Sequence, residues 1–590
     1  MPALIGKNLG VYNANSFATS FSSDSIYLYL GKVVSWDDDT DPPTPEDTPQ
    51  YHNQIWDKMA GMVRVNRNNV SLGIKRNNWT SHKRWGRYHH ANTSLGTDYY
   101  VLAGRSDRDV YKCLDNNGDS LSIVKPTHKN LGATKESGDG YVWKYMYTIP
   151  DSAFTKFATD AVIPVFRDKS VSSFNKRNAI IHLPLHVSRE DGVGQYYRGT
   201  GFVNTSFSTN ALNPTVFTTV NANTATNNIK IVADFGLAPV DDYYNNCAFY
   251  VTSGVAKGTY RRIVDHEAYT VAQSGMADTD RTGNLVLSAA VSNISNGDTF
   301  IIGPMITKPE LVGKGFLGIG KTNRYGNLTS IEVSLTGANY ANGTTNVAII
   351  GDYNPCGDAA SYPDGSGADI EFIIPPSTGG HGYNPYSELE AKYVIVSART
   401  DEVKDHETGT FVGYGNDIRQ VGLVKNPIDR KTGSFARASS YDLRTTLYFH
   451  TDQSLSGFAQ DQMVYDTTTE GTESVSGLIF SVCGTEGQTA GTGAAEGQPK
   501  VGNQYLSLID IKGQFANGFT VTNRTGDTAT ITSASLALHR YPLNSSSIPV
   551  NPVIEGGIAK YTGEILYHEN ILPITRKLDQ KEEFKFVFEF

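Results

Sequence analysis

The sequence predicts a mainly β protein: a multi-domain chain of sandwich- or barrel-like modules with few short helices. Three observations carry this. Apolar and polar residues alternate with period two in many short runs, as strands with one buried face require. Gly, Asn, Thr, Ser and Tyr are used throughout, with 57 Gly and 33 Tyr in 590 residues, which suits short strands joined by tight turns. Helical spacing of apolar residues appears in only two segments. A chain of 64.3 kDa has room for roughly three to five domains, each with its own core.

Taken in order, SIYLYLGKVV (25–34) reads as the first strand. The first helical signal follows over Tyr51–Val65, where Ile55, Met59 and Met62 recur on one face. Gly138-Asp139-Gly140 supplies turn chemistry directly before the strand YVWKYMYTIP (141–150). A second helix is expected from Asp151 to Ala161, with Asp151 as N-cap and Phe154 and Phe157 on one face. Residues 201–380 then change character. They are rich in Asn, Thr, Gly and Ala, with strands at short spacing such as NNIKIVADFG, NCAFYVTSG, GTYRRIVDH, DTFIIG, TSIEVSLTG, TNVAIIG and ADIEFIIP, the rhythm of one or two small sandwiches or barrels. KYVIVSART (392–400) returns to long alternation. Residues 431–555 repeat the strand-dense style with TTLYFHT, GLIFSVCG, YLSLIDIKG, FTVTNRTG and ATITSASLAL, and hold a low-complexity loop over 484–497. FKFVFEF (584–590) is the last strand.

Charge and cysteine exclude several classes. The net charge of −9 and pI near 5.8 argue against non-specific nucleic-acid binding by the whole surface. Cys113, Cys247, Cys356 and Cys483 are widely spaced, so no disulfide framework and no zinc site is expected. No apolar run is long enough to span a membrane. The start MPALIGKNLG lacks the regions of a secretory signal. Synthesis and folding in a reducing cytosol are expected.

Several motifs resemble catalytic or ligand sites. GFLGIGKT (315–322) fits the phosphate-cradling loop G-x-x-x-x-G-K-[ST], and Gly313, Gly315 and Gly318 fit G-x-G-x-x-G. Such loops need a buried strand before and a helix after, because the helix N-terminus helps to hold the phosphates. Here Pro309 precedes, Gly326 and Asn327 break any helix, and another strand pattern follows. A Gly-rich connection between strands is therefore the favoured reading, and no cofactor is expected. Asp115, Asn117 and Asp119 alternate as at the start of a calcium loop, but the sixth position is Ser120 and the twelfth Pro126. A polar hairpin turn accounts for them. His182 and His186 are separated by Pro184, which excludes a zinc-protease helix, and His82, His89 and His90 are a minor metal option. No G-x-S-x-G elbow and no paired carboxylates stand out, so no catalytic residue is assigned.

Residues 58–97 hold no acid and eight bases: Lys58, Arg64, Arg67, Lys75, Arg76, Lys83, Arg84 and Arg87, interleaved with Trp79, Trp85 and Tyr88. Arg and aromatic residues are enriched at protein interfaces. With a net acidic chain, a partner-contacting surface is favoured over a plain solvated face or a nucleic-acid site. The segment WDDDTDPPTPEDTP (36–49) reads as an exposed, extended acidic loop.

A set of ordered motifs adds a resemblance. In the first part these are Gly31 and Trp36 before the Pro-rich loop; Trp56, Met59, Gly61, Val63 and Val65 where a helix leads into a strand; Arg76 and Trp79; VYKCLD (110–115) with Tyr111; and GDGYVWKYMYTIP (138–150) with Asp139, Gly140, Tyr141 and Trp143. In the second part they are RQVGLVKNP (419–427) with Arg419, Asn426 and Pro427, TGEILYHEN (562–570) with Glu569 and Asn570, Pro573-Ile574, and DQKEEFKFVFEF (579–590). Together they resemble the baseplate wedge subunits of T-even-type contractile-tailed bacteriophages, the gene 8 product family. The chain is longer than that family, and the excess falls at 201–380 and 431–555.

The resemblance implies a family core over 1–200, 381–430 and 556–590 with two inserted β regions. It further implies a non-enzymatic structural protein of the virion tail baseplate. Such a subunit forms a homodimer and bridges other wedge or tail-fibre-attachment proteins at the baseplate periphery, without nucleic acid or membrane insertion. The motif residues would form core or interface. Inserted modules that contact host glycans or a receptor are the alternative function, and a glycan-cleaving enzyme ranks below it.

Overall fold

A computed structural model describes residues 6–90, 92–174, 182, 187–188, 195–196, 198–200, 218–225, 227–232, 241–267, 282–307, 314–322, 327–340, 348–350, 366–371, 373, 379–399, 417–438, 440–449, 453–466, 474–483, 504–532, 552–575 and 582–590. The low-complexity loop 484–497, His186 and most of ANYANGTTNVAII (338–350) lie outside the described residues. The protein is mainly β. Antiparallel sheets dominate, with five α-helices among the described residues. Two compact units are present: Met1–Val11 with Gly73–Tyr393, and Tyr12–Leu72 with Val394–Phe590.

The unit containing Tyr12–Leu72 is built on a five-stranded antiparallel sheet. Its order is Ser440–Asp442, Met59–Val65, Ile26–Gly31, Asp417–Lys425, Glu564–Thr575. Ile26–Gly31 sits at the centre and is buried along its whole length. Tyr27 and Tyr29 face Ile55 and Trp56 of the helix Pro49–Lys58. That helix starts at Pro49, two residues before the helical pattern, because the end of the acidic segment caps it: the Thr48 side chain accepts the Tyr51 amide at 3.1 Å, with Pro49 in the first turn. It stops at Lys58, seven residues short of the helical pattern, and Met59–Val65 continues as a strand. Gly61 disfavours the helix and Val63 and Val65 favour the extended form, and flanking strands on both sides satisfy its backbone. Gly31 permits the corner, since a Cβ there would lie 2.7 Å from the Lys58 carbonyl oxygen.

A seven-stranded antiparallel sheet in the same unit runs Thr528–Thr530, Thr520–Asn523, Met463–Tyr465, Ser476–Cys483, Gln504–Lys512, Thr445–Phe449, Val553–Ile554. It has its own core, including Leu447, Phe458, Ile479, Leu508 and Phe515. The strand Glu583–Glu589 lies beside Tyr393–Arg399. One helix the sequence reading omits is Asn8–Ser23. Its Asn and Ser content is a poor helix signal, yet Ala14, Phe17, Ala18 and Phe21 recur on one face, and Phe17 meets Phe588 at 5.5 Å.

The other unit begins with a four-stranded sheet in the order Tyr100–Ala103, Asp109–Asp115, Val142–Thr148, Ala133–Lys135. Trp85, Val101, Tyr111, Cys113, Tyr141 and Trp143 fill its core. The helix after Pro150 spans only Asp151–Phe157. Asp151 is inside its first turn rather than capping it, and Pro150 makes no side-chain cap. The helix ends because Thr159 turns the chain, its hydroxyl accepting the Val162 amide at 3.0 Å, into the strand Val162–Pro164 that pairs with Gly73–Lys75. Further along, Thr218–Ala225, Asn228–Val232, Thr282–Leu287, Tyr260–Glu267, Ala248–Val251 and Thr299–Gly303 close into a six-stranded barrel. Phe249, Ile263, Leu285 and Phe300 pack inside it. A further four-stranded sheet follows, ordered Leu328–Ala338, Lys314–Thr322, Met305–Thr307, Ala348–Ile350. ADIEFIIP forms no strand of its length: Ser366–Ala368 pairs with Arg198–Thr200, and Asp369, Glu371 and Ile373 lie outside strands.

Candidate interaction sites

In the unit containing Tyr12–Leu72, several motif residues converge on the acidic loop 36–49. Arg419 projects from the strand Asp417–Lys425 and is 3% exposed. Its Nε and Nη2 donate to the two oxygens of Asp39 at 2.9 and 2.7 Å, Nη2 also to Asp417 at 2.8 Å, and Nη1 to the Val33 carbonyl at 2.6 Å. This two-pronged pairing is the geometry a guanidinium offers a carboxylate. It brings the Asp39 carboxyl down to about 2, helped by the Trp36 amide, which donates to the same carboxylate at 2.9 Å. The Trp36 indole donates to the Ile571 carbonyl at 3.3 Å, and the Lys32 ammonium sits 4.4 Å from its ring centre. Farther along the loop, Asn570 donates to the Pro43 carbonyl at 2.7 Å and also bonds Tyr51 and Gln420. Trp36, Arg419 and Asn570 are thus one assembly that pins the loop to the sheet.

Other motif residues shape the backbone. Asn426 has φ +52°, and its side chain accepts the Ser25 amide at 2.8 Å. The carbonyl of Pro427 accepts the Ala436 amide at 2.8 Å. Glu569 accepts the Tyr567 hydroxyl at 2.7 Å. Pro573 lies in an edge strand, where no ladder bond is lost. Trp56 is buried against the sheet.

In the other unit, Asp139 gathers a loop: it accepts the amides of Ile123, Val124 and Tyr141 at 2.9, 3.0 and 3.1 Å, and the Ser122 hydroxyl at 3.2 Å. Gly140 has φ +77°, and a Cβ there would meet the Asn117 side chain at 2.8 Å. Tyr141 stacks on Trp143 at 5.5 Å and donates to the Ser120 carbonyl at 2.7 Å. Tyr111 donates to the His128 carbonyl at 2.8 Å, and the Trp79 indole to Ser122 at 3.0 Å.

The basic stretch is divided between the units, with Lys58, Arg64 and Arg67 in one and Lys75 onward in the other. Most of its charges bond within their own unit. Arg64 donates to the Arg437 carbonyl, Arg67 to that of Val70, Arg76 to that of Thr159 and Arg84 to that of Asp119, at 2.9, 2.6, 2.9 and 3.0 Å. Arg87 grips both oxygens of Glu371 at 2.7 and 3.3 Å, and Lys83 lies 3.9 Å over the Trp85 ring. Lys75 is exposed at the end of its strand.

GFLGIGKT proves to be strand, part of Lys314–Thr322, rather than a loop or a connection. Gly318 and Gly320 lie under Ile331 and Leu328 of the neighbouring strand, where a Cβ would approach to 2.9 and 2.6 Å. Lys321 pairs with Glu332 at 2.8 Å. The 115–120 segment is a turn: Asp115 accepts the Asn117 amide at 2.9 Å and pairs with His182 at 3.2 Å, and the Asn117 side chain donates to the Asp139 carbonyl at 2.9 Å. His89 and His90 stack on each other at 4.7 Å.

One cluster escapes the sequence reading. Lys112 and Lys144 oppose each other across the ladder of Asp109–Asp115 and Val142–Thr148, and both are fully buried. Lys112 pairs with Glu388, whose carboxylate also accepts the Gly382 and Asn384 amides at 2.8 and 3.0 Å. Lys144 donates to the Leu131 carbonyl. Burial lowers Lys112, and it brings Lys144 down to about 7, with Lys112 adding repulsion. His381 is pushed well below its ordinary value by burial and then by Lys112. The signal available in the sequence is a lysine in the middle of each otherwise apolar strand, VYKCLD and VWKYMY. Chemically the cluster is a clamp that fastens 381–388 to the sheet.

These features define a mainly β protein whose motif residues hold loops and sheets in fixed positions. No family model matches the chain. Among curated proteins it is similar to the baseplate wedge protein gp8 of Enterobacteria phage T4, with 24% identity over 193 residues, 27% of this chain and 57% of that protein. The chain thus spans little more than half the length of that relative.

Proposed function

We propose that this chain is a structural, non-catalytic subunit of a contractile phage tail baseplate. It is made in the host cytoplasm and resides in the virion tail. There it acts as a wedge protein that pairs with a second copy of itself and bridges neighbouring wedge or tail-fibre-attachment proteins at the periphery. The observation that carries this reading is the similarity to the phage T4 wedge protein. The tying of loop 36–49 by Arg419 and Asn570 fits it, since a scaffold must hold shape under load. On the same reading, 201–380 and 431–555 are β regions inserted into exposed loops of a core, where insertion costs little. The test is to remove the gene from the phage and to label the protein in intact particles. Particles lacking it are expected to have no complete baseplate, and gold label is expected at the baseplate rim. Complete, label-free baseplates would overturn the proposal.

A further inference from the structure

Lys112, Lys144 and Glu388 form a sealed polar cluster inside the unit that contains Gly73–Tyr393. The side chains of Lys112 and Glu388 have no exposed surface, and Nζ of one touches Oε2 of the other. The Glu388 carboxylate is held at both oxygens: the Gly382 amide donates to Oε2 at 2.8 Å and the Asn384 amide to Oε1 at 3.0 Å. The Tyr88 ring covers the ammonium, with its centre 5.1 Å from Lys112 Nζ, and His381 packs against that ring at 5.7 Å. Lys144 is the ladder partner of Lys112, so both side chains point to the same face. Keeping an ion pair in such a place costs desolvation that a neutral group avoids. A desolvated lysine beside a second cationic group is an activated nucleophile, because its neutral amine is favoured, and burial lowers the pKa of Lys112.

We propose that Lys112 and Glu388 condense into an isopeptide bond that staples residues 382–388 to the strand Asp109–Asp115. The bond depends only on this cluster and not on the baseplate role. The ammonium and the carboxylate together hold the atoms of one amide and one water, so no further reactant is needed. Lys112 Nζ passes one proton to Glu388 Oε2, and its lone pair attacks Cδ. The C–N bond forms while negative charge collects on Oε1, where the Asn384 amide stabilises it. A second proton then moves from Nζ to Oε2, the Cδ–Oε2 bond breaks and water leaves. Nζ keeps its third hydrogen as the amide N–H. The fold supplies the proximity that a bimolecular condensation lacks, and two buried charges become one neutral group. The bond closes a loop between positions 276 apart.

The test digests the purified full chain, with mass spectrometry of intact protein and peptides as the readout. The wild type is expected to be one water lighter than the unlinked chain. It should yield a branched peptide joining Lys112 to Glu388, with trypsin cleavage after Lys112 lost. Lys112→Arg keeps a cation beside Glu388 but should lose both the mass deficit and the branched peptide. In denaturing gels it should migrate more slowly than the wild type, whose closed loop compacts the unfolded chain. A wild type of full sequence mass, with free peptides for Lys112 and Glu388, overturns the isopeptide, and this readout needs no variant to fold. A branched peptide through Lys144, or one that persists in Lys112→Arg, overturns the choice of nucleophile. None of these results touches the baseplate role, which stands or falls on the labelled particles.

Discussion

Lys144 carries the most informative charge at the residue scale. Its folded pKa of about 7 lies below the ordinary lysine value of 10.5. Between those values the unfolded chain holds a proton that the folded chain does not, so stability rises with pH across the window. Below about pH 7 the full penalty of the buried ammonium applies; above 10.5 it has vanished. We predict that the stability difference between wild type and Lys144→Met moves in favour of the wild type as pH rises from 7 to 10.5. Chemical denaturation at a series of pH values would show it, and a constant difference would refute it. Trp143 is a simpler case: it is fully buried and stacked on Tyr141. Trp143→Ala should cost about 3–5 kcal/mol, read as a fall in the denaturation midpoint. The place of Trp143 in a strand interior is legible from alternation alone. The buried lysines are not, because the Glu388 that offsets Lys112 lies 276 positions away.

At the scale of elements, the acidic loop shows how a segment without regular structure is held. Arg419→Ala removes every bond from this guanidinium to Asp39, Asp417 and Val33. Faster amide exchange and protease cutting within 36–49 are expected, with the seven-stranded sheet unaffected. The carboxyl of Asp39 is depressed to about 2, so the tie should be intact above pH 4 and be lost as pH falls through 2. Exchange at the Trp36 amide, which bonds Asp39, reads this directly. In the sequence the loop is visible as acidic and Pro-rich. Its anchoring is not, since an Arg 380 positions later supplies it. Helix limits show the same division. Thr48-Pro49 marks the start of a helix locally, whereas its end at Lys58 is decided by strands that pair with Met59–Val65.

Over the whole molecule, cores are separate. The barrel core and that of the seven-stranded sheet share no residue and lie in different units. Phe249→Ala, which empties the middle of the barrel, should therefore lower exchange protection in Ala248–Val251 and Thr299–Gly303 while Thr445–Phe449 keeps its protection. Loss of protection in both would mean one cooperative unit instead of two.

By itself the sequence determined the class: period-two alternation and turn residues are local properties, and they specify a mainly β chain with strands such as Ile26–Gly31 and Val142–Thr148 near where they are read. Tertiary structure alone decided which strands meet. Ile26 pairs with Lys425, Gln420 with Asn570, and six short strands close into a barrel. It also turned a phosphate-loop pattern into a strand, in which Gly318 and Gly320 make room for Ile331 and Leu328 of the neighbouring strand. The reason is physical. Backbone preference is set by nearest neighbours, whereas burial, pairing and the partner of a buried charge depend on residues hundreds of positions apart.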